Sequence, residues 1–165
     1  MQRVDSEFLA TCFDAHAAAL VLYARQWLPA PLAEDVVQEV FVRLAGQAEA
    51  PPNPRAWLLA CTRNGAFDAL KGARRRRARD AAAVQERRPL FEHAAETALE
   101  ASEAQAALAA LPATEREIVT LRLWAGATFA EIAALLDVPL STVHQRYRAA
   151  LEALKTRWES PCRNR

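Results

Sequence analysis

The chain has 165 residues, 52% hydrophobic and 25% charged, which excludes an intrinsically disordered polypeptide and allows one ordinary domain or two small ones. Four glycines, abundant alanine and few β-branched runs exclude a β-rich fold and predict an all-α protein. The net charge of +1 conceals a pattern: −4 over residues 1–54, +7 over 55–88, −4 over 89–111 and +2 over 112–165. A basic segment between acidic ones implies two different partners, one of them polyanionic.

Residues 5–28 predict a first helix, with Leu9, Phe13, Leu20, Ala24 and Trp27 at helical spacing as core and Pro29 and Pro31 ending it. Asp5, Glu7 and Asp14 interrupt any signal peptide. The apolar run Ala15–Ala24 is expected to be too short to span a bilayer. Residues 32–47 predict a second helix. It buries Val37, Val40, Phe41 and Leu44 and turns Glu34, Asp35, Gln38 and Glu39 outward, either as a solvated face or as a protein-docking one. Three prolines between Ala50 and Pro54 then make a stiff extended loop.

The stretch Pro54–Arg79 reads as a third helix. Trp57, Asn64 and Lys71 are two turns apart and share one side, since two turns take about seven residues. Leu58, Cys61, Gly65 and Ala69 form an adjacent apolar stripe. Its end carries Lys71, Arg74, Arg75, Arg76, Arg77 and Arg79, a density that suits phosphate contact without sequence choice; a solvated helix end is the alternative. Residues 82–96 lose periodicity and read as a linker between a domain over 1–81 and another over 97–160.

Residues 97–110 resume a helix marked by Leu99, Ala106, Leu108 and Leu111, and Pro112 closes it. Thr114 with Glu117, and Thr128 with Glu131, have the spacing of capping boxes. The helix from Thr114 ends at Gly126, the one from Thr128 at the turn Asp137–Leu140, and Ser141 is expected to cap a last helix. Two short helices across a four-residue turn, the second amphipathic and basic, form a helix-turn-helix pattern. In the last helix Val143, Tyr147, Ala150, Leu151, Leu154 and Trp158 are expected inside. Ser141, Gln145, Arg148 and Ala149 project opposite, flanked by Thr142, His144 and Arg146. Gln and Arg are side chains that read base edges in a major groove; an ordinary αα-hairpin is the alternative.

No Gly-rich phosphate loop, HExxH motif or nucleophile pattern appears, and His16, His93 and His144 are far apart, so no enzyme, cofactor or metal is expected. Cys12, Cys61 and Cys162 lack the spacing of a zinc site or disulfide framework and suit a reducing cytoplasm, Cys12 and Cys61 as small core residues.

Two segments then resemble one family. Ala33–Leu44, with Trp57-Leu58, Arg63-Asn64 and Asp68-Ala69-Leu70, resembles region 2 of the extracytoplasmic-function (ECF) group of the sigma-70 family of RNA polymerase sigma factors. Leu111-Pro112, Glu115–Ile118, Leu121-Arg122, Glu131–Ala133 and Ser141–Val143 with Arg146 resemble region 4 of that group, with no region 3 between. The resemblance implies two small helical domains joined by a linker, core RNA polymerase and promoter DNA (duplex and single-stranded) as partners, and a cytoplasmic location. It also brings in an anti-sigma protein, which often holds this group inactive. It assigns Asp35, Gln38, Glu39 and Arg43 to polymerase docking. The −10 element falls to Asn53, Arg55, Asn64, Lys71, Arg74 and Arg75, and the −35 element to Ser141, Thr142, His144, Gln145, Arg146 and Arg148. Asn64 and the loop Ala50–Arg55 match the group's pocket for a flipped non-template base, where an amide can both donate and accept. Departures are visible too. The loop before Trp57 lacks the aromatics frequent there, and His144 and Ala149 stand where the group often has basic residues. Two other readings remain open from the residues: a polymerase-independent helix-turn-helix regulator using residues 111–158, and a sigma-like adaptor that opens no promoter.

Overall fold

Proline placement starts two of the helices. Pro29 and Pro31, expected to terminate the first helix, instead open the second: Pro29 is its N-cap and Pro31 lies in its first turn, where the missing N–H has no partner to lose. The computed structural model describes the backbone of residues 3–81 and 99–159 and the side chains of 3–76 and 104–158. The expected linker 82–96, Cys162 and the side chains of Arg77, Arg79 and Leu99 lie outside the described residues. The chain divides into two compact units, Met1–Glu92 and His93–Arg165.

The first unit contains α1 (Ser6–Ala24), α2 (Ala30–Ala45) and α3 (Pro54–Ala81), each packed on the other two. Asp5 caps α1, its Oδ1 accepting from Phe8 N–H at 2.9 Å. Regular helix stops at Ala24, short of residue 28, and Arg25–Leu28 continue as turns that bond back to α1. Taken whole, α1 (Ser6–Ala24, mean hydropathy 1.2) is long and apolar enough to cross a bilayer by length and composition, a test that core helices of soluble proteins also pass. In this structure it packs on α2 and α3 and buries Cys12, Leu20, Tyr23 and Ala24. Phe13, expected in the core, is half exposed; its ring leans on Phe41 at 5.0 Å across the α1–α2 groove and leaves one side to solvent.

α2 buries Ala33, Val37, Val40 and Leu44, while Phe41 is only partly covered. α3 begins where Asn53 caps it: Asn53 Oδ1 accepts from Ala56 N–H at 3.0 Å. Leu58, Leu59, Thr62 and Ala66 are its buried side. Gly65 permits the close crossing of α2, because a Cβ there would lie 2.9 Å from Val36 Cγ1. A backbone bridge between Arg3 and Glu49 ties the N-terminal segment to the loop before α3.

The second unit contains α4 (Leu99–Ala109), α5 (Ala113–Leu123), α6 (Phe129–Leu136) and α7 (Leu140–Glu159). Ala107, Leu108, Leu111, Val119, Ala150 and Leu154 make one buried cluster, with Tyr147 against it. Only one of the two expected capping boxes forms. Thr128 accepts from Glu131 N–H at 3.2 Å, and Glu131 Oε2 accepts from Thr128 N–H at 2.7 Å. Thr114 is not a cap. Pro112 is the N-cap of α5, its carbonyl accepting from Arg116 N–H at 2.9 Å, so helix is already under way at Thr114 and Glu117 turns into the core. Likewise α7 starts at Leu140, as Pro139 accepts from Thr142 and Val143, and Ser141 lies in the first turn rather than at the cap.

Gly126, at φ 62°, makes the left-handed turn after α5, and Asp137, at φ 53°, the one between α6 and α7. Leu151 and Trp158, expected inside, are 40% and 50% exposed: they sit at the edge of a stripe centred on Val143, Ala150 and Leu154.

Candidate nucleic-acid interface

On α2, Asp35, Gln38, Glu39 and Arg43 are all exposed. Arg43 Nη2 donates to Glu39 Oε1 at 2.5 Å, one helical turn away, and this bond raises the guanidinium pKa above its ordinary value. Val42 stands among them at 70% exposure, an apolar side chain on a polar face. It borders a shallow apolar groove walled by Leu9, Phe13, Phe41 and Ala45. Sequence reasoning passed over Val42. Its signal was there, since helical spacing sets it beside Gln38 and Glu39 rather than with the buried valines.

On α3, a second groove of about 460 Å³ is lined by Arg63, Asn64, Phe67, Asp68 and Lys71. It joins two of the residues singled out for the −10 element, Asn64 and Lys71, both exposed. Arg74 and Arg75 are exposed further along the helix, and Asn53 and Arg55 stand at its other end; none of these four lines the groove. Asn53 commits its side-chain oxygen to the helix cap. Arg55 acts on His16 of α1, whose pKa is held below 6.5 by burial first and the Arg55 charge second.

Arg63, Phe67 and Asp68 were given no role in the sequence reading. Arg63 Cζ lies 5.0 Å from the centroid of the Phe67 ring, over its face. Trp27 packs on the same ring at 5.4 Å and is itself set against the buried cluster of Ala24, Leu28, Ala33 and Ala66. Lys71 and Asp68 pair loosely at 4.0 Å, both well exposed. Phe67, Asp68 and Lys71 stand three, four and seven residues beyond Asn64, so helical spacing pointed to that side of the groove. Nothing local pointed to Trp27.

On α7, Ser141, His144, Gln145 and Arg148 are exposed, and Thr142 and Arg146 are half-buried. The exposure of Ser141, Gln145 and Arg148 follows the helical period. The structure adds an aromatic cluster at the edge of that face: the rings of His144 and Phe129 of α6 are 4.3 Å apart, Tyr147 meets Phe129 edge-on at 5.1 Å, and Arg122 Cζ lies 4.9 Å over the same ring. Arg122 Nη1 also donates to Ala127 carbonyl at 3.1 Å, which ties α5 to the loop that starts α6. These contacts brace α6 against α7 beside the exposed face that carries His144, Gln145 and Arg148. Among the described residues no group of His, Cys, Asp or Glu is placed to hold a metal ion.

The Sigma-70 region 2 family matches residues 12–76 and the Sigma-70, region 4 family matches residues 107–156. The ECF RNA polymerase sigma factor SigL of Mycobacterium tuberculosis is 32% identical over 161 residues, covering 92% of this chain and 89% of that protein. Among solved structures, the sigma factor RpoE in complex with the anti-sigma factor NepR from Bartonella quintana aligns with a TM-score of 0.71 at 23% identity, covering 94% of this chain and 98% of that one. CnrH in complex with the cytosolic domain of CnrY aligns with a TM-score of 0.64 at 22% identity, covering 94% and 90%. Both share the fold.

Proposed function

From the premise that this chain belongs to the ECF group of sigma-70-family RNA polymerase sigma factors, we propose how its two units divide the work of starting transcription. The protein is an alternative sigma factor: it binds core RNA polymerase, recognises the −10 and −35 elements of promoters, and is an initiation factor rather than an enzyme.

In this reading residues 1–81 dock on polymerase and hold the opened −10 element, 82–96 link, and 97–160 anchor on the −35 duplex. Docking falls to Asp35, Gln38, Glu39 and Arg43, which share the exposed side of α2. Asn64 reads an unpaired −10 base, while Lys71, Arg74 and Arg75 hold phosphates beside it and Asn53 and Arg55 flank the approach. Gln145 and Arg148 face bases in the major groove. Ser141, Thr142, His144 and Arg146 fix the register on the backbone and groove edge. Binding the exposed single strand more tightly than the duplex shifts the promoter toward the open state. The work is done in the cytoplasm, and an anti-sigma protein is a further partner on the pattern of the RpoE–NepR complex.

The observation that carries this division is a groove lined by Arg63, Asn64, Phe67, Asp68 and Lys71 in the first unit, in tandem with a helix-turn-helix presenting Gln145 and Arg148 in the second. Run-off transcription with purified core polymerase and a genomic promoter library tests it. Transcripts that require this chain and start at a common distance from a shared −10 and −35 sequence are expected; no transcript above core alone overturns it. Within that assay Arg148→Ala should weaken −35 binding by about 1–3 kcal/mol.

A further inference from the structure

A base pulled out of the duplex loses its stacking partners, and proteins that hold unpaired bases replace them with an aromatic ring or a guanidinium plane. The loop Ala50–Pro54 contains no aromatic residue to do this. Trp57 lies two turns before Asn64 and does not line the groove. The flat groups beside Asn64 are Arg63 and Phe67, both in its wall.

Their arrangement is layered. Trp27 is set against buried residues of α1, α2 and α3; the Phe67 ring packs on Trp27; the Arg63 guanidinium covers the Phe67 ring. With Trp27 packed on its ring and Arg63 over its face, Phe67 has little face left for a ligand, and the outermost flat group of the stack is the half-buried Arg63. We propose that Arg63 is the stacking surface for the unpaired base whose edge Asn64 reads, with Phe67 and Trp27 as positioning residues that hold its guanidinium flat. This inference rests on the −10 assignment of Asn64 made above.

The chemistry fits a nucleotide in each part. A groove of about 460 Å³ has room for a base, the guanidinium offers a plane that an ammonium does not, and Asn64 offers a donor and an acceptor to a base edge. Lys71 lies close enough to Asp68 to soften that carboxylate's repulsion of the phosphates. The stack also supplies the flat surface that the aromatic-free loop lacks.

The test uses the full chain bound to core RNA polymerase and a short fluorescent single-stranded DNA of randomised sequence, from which bound strands are recovered and sequenced. Anisotropy then gives affinities for the selected strand and for copies with one abasic position each. Arg63→Lys, which keeps the charge, and Phe67→Leu, which keeps apolar volume, should each weaken binding about tenfold without changing the selected sequence. That loss should vanish on the strand made abasic at the position Asn64→Ala no longer distinguishes. If the loss persists on every abasic strand, the residues act on the backbone or on folding and the inference is overturned. If both variants bind as wild type while Asn64→Ala loses its base preference, the stacking role fails and the Asn64 assignment stands. If wild type selects no sequence, or Asn64→Ala selects the same one, the −10 assignment fails and the inference with it.

Discussion

The two long helices α3 and α7 bear the candidate DNA contacts in opposite ways. On α7 the candidate contacts stand on the outward side of a helix, with Val143, Ala150 and Leu154 buried behind them. On α3 the central contacts line a concavity whose lining includes a ring packed on Trp27 from another part of the bundle. A convex helix suits a duplex, because the groove is in the DNA; a concave site suits a single base, because the groove must be in the protein. The face for duplex is therefore written along one helix, whereas the face for an unpaired base needs several elements.

The largest test of that contrast concerns folding. Leu58→Ala removes a fully buried side chain of α3 and should cost about 2–5 kcal/mol. Hydrogen exchange should show protection lost in α1–α3 and kept in α5–α7; joint loss would mean the two faces do not stand on separate units. Next, Gly65→Ala places a Cβ 2.9 Å from Val36 Cγ1 and should destabilise the first unit by about 1–3 kcal/mol despite alanine's better helix propensity. Val36→Ala in the same background should recover most of that loss in a urea titration, and no recovery would place the cost elsewhere.

A smaller effect separates two threonines. Thr128→Ala breaks a formed capping box and should cost about 1 kcal/mol. Thr114→Ala touches no cap and should stay within about 0.5 kcal/mol. Equal costs in matched melts would contradict the assigned start of α5.

The smallest is a pH effect confined to the first unit. The folded-state pKa of His16 lies below 6.5, so the unfolded chain takes up that proton more readily. Stability from this source is present above 6.5 and is lost as pH falls through 6.5 toward the lowered value. On acidification wild type should lose stability relative to His16→Asn in urea titrations; parallel curves would remove His16 from the account.

What was legible in the sequence follows the range of the interactions involved. The Thr128 box and the break at Gly126 rest on contacts within a few residues, and they were readable. So was the outward placement of Gln145 and Arg148, which follows from helical period alone. Thr114 repeats the Thr128 pattern yet fails as a cap, because Pro112 already supplies the first helical acceptor. Leu151 and Trp158 obey the same apolar period as Leu154 but fall at its edge, and only the position of the packed neighbours separates them. Val42 and Phe13 look like core residues by type and are open to solvent, since a two-helix groove covers one side and not the other.

By itself the sequence determined the helical class, the two segments with their family resemblance, and the polar side chains that each α3 and α7 face could offer. Periodicity and capping are properties of neighbouring residues, and they survive without a fold. The tertiary structure alone decided that Trp27 supports Phe67, that Phe67 supports Arg63, and that Gly65 lets α2 approach α3. Those are contacts between residues far apart along the chain, and packing, which has no signature in local spacing, is what brings them together.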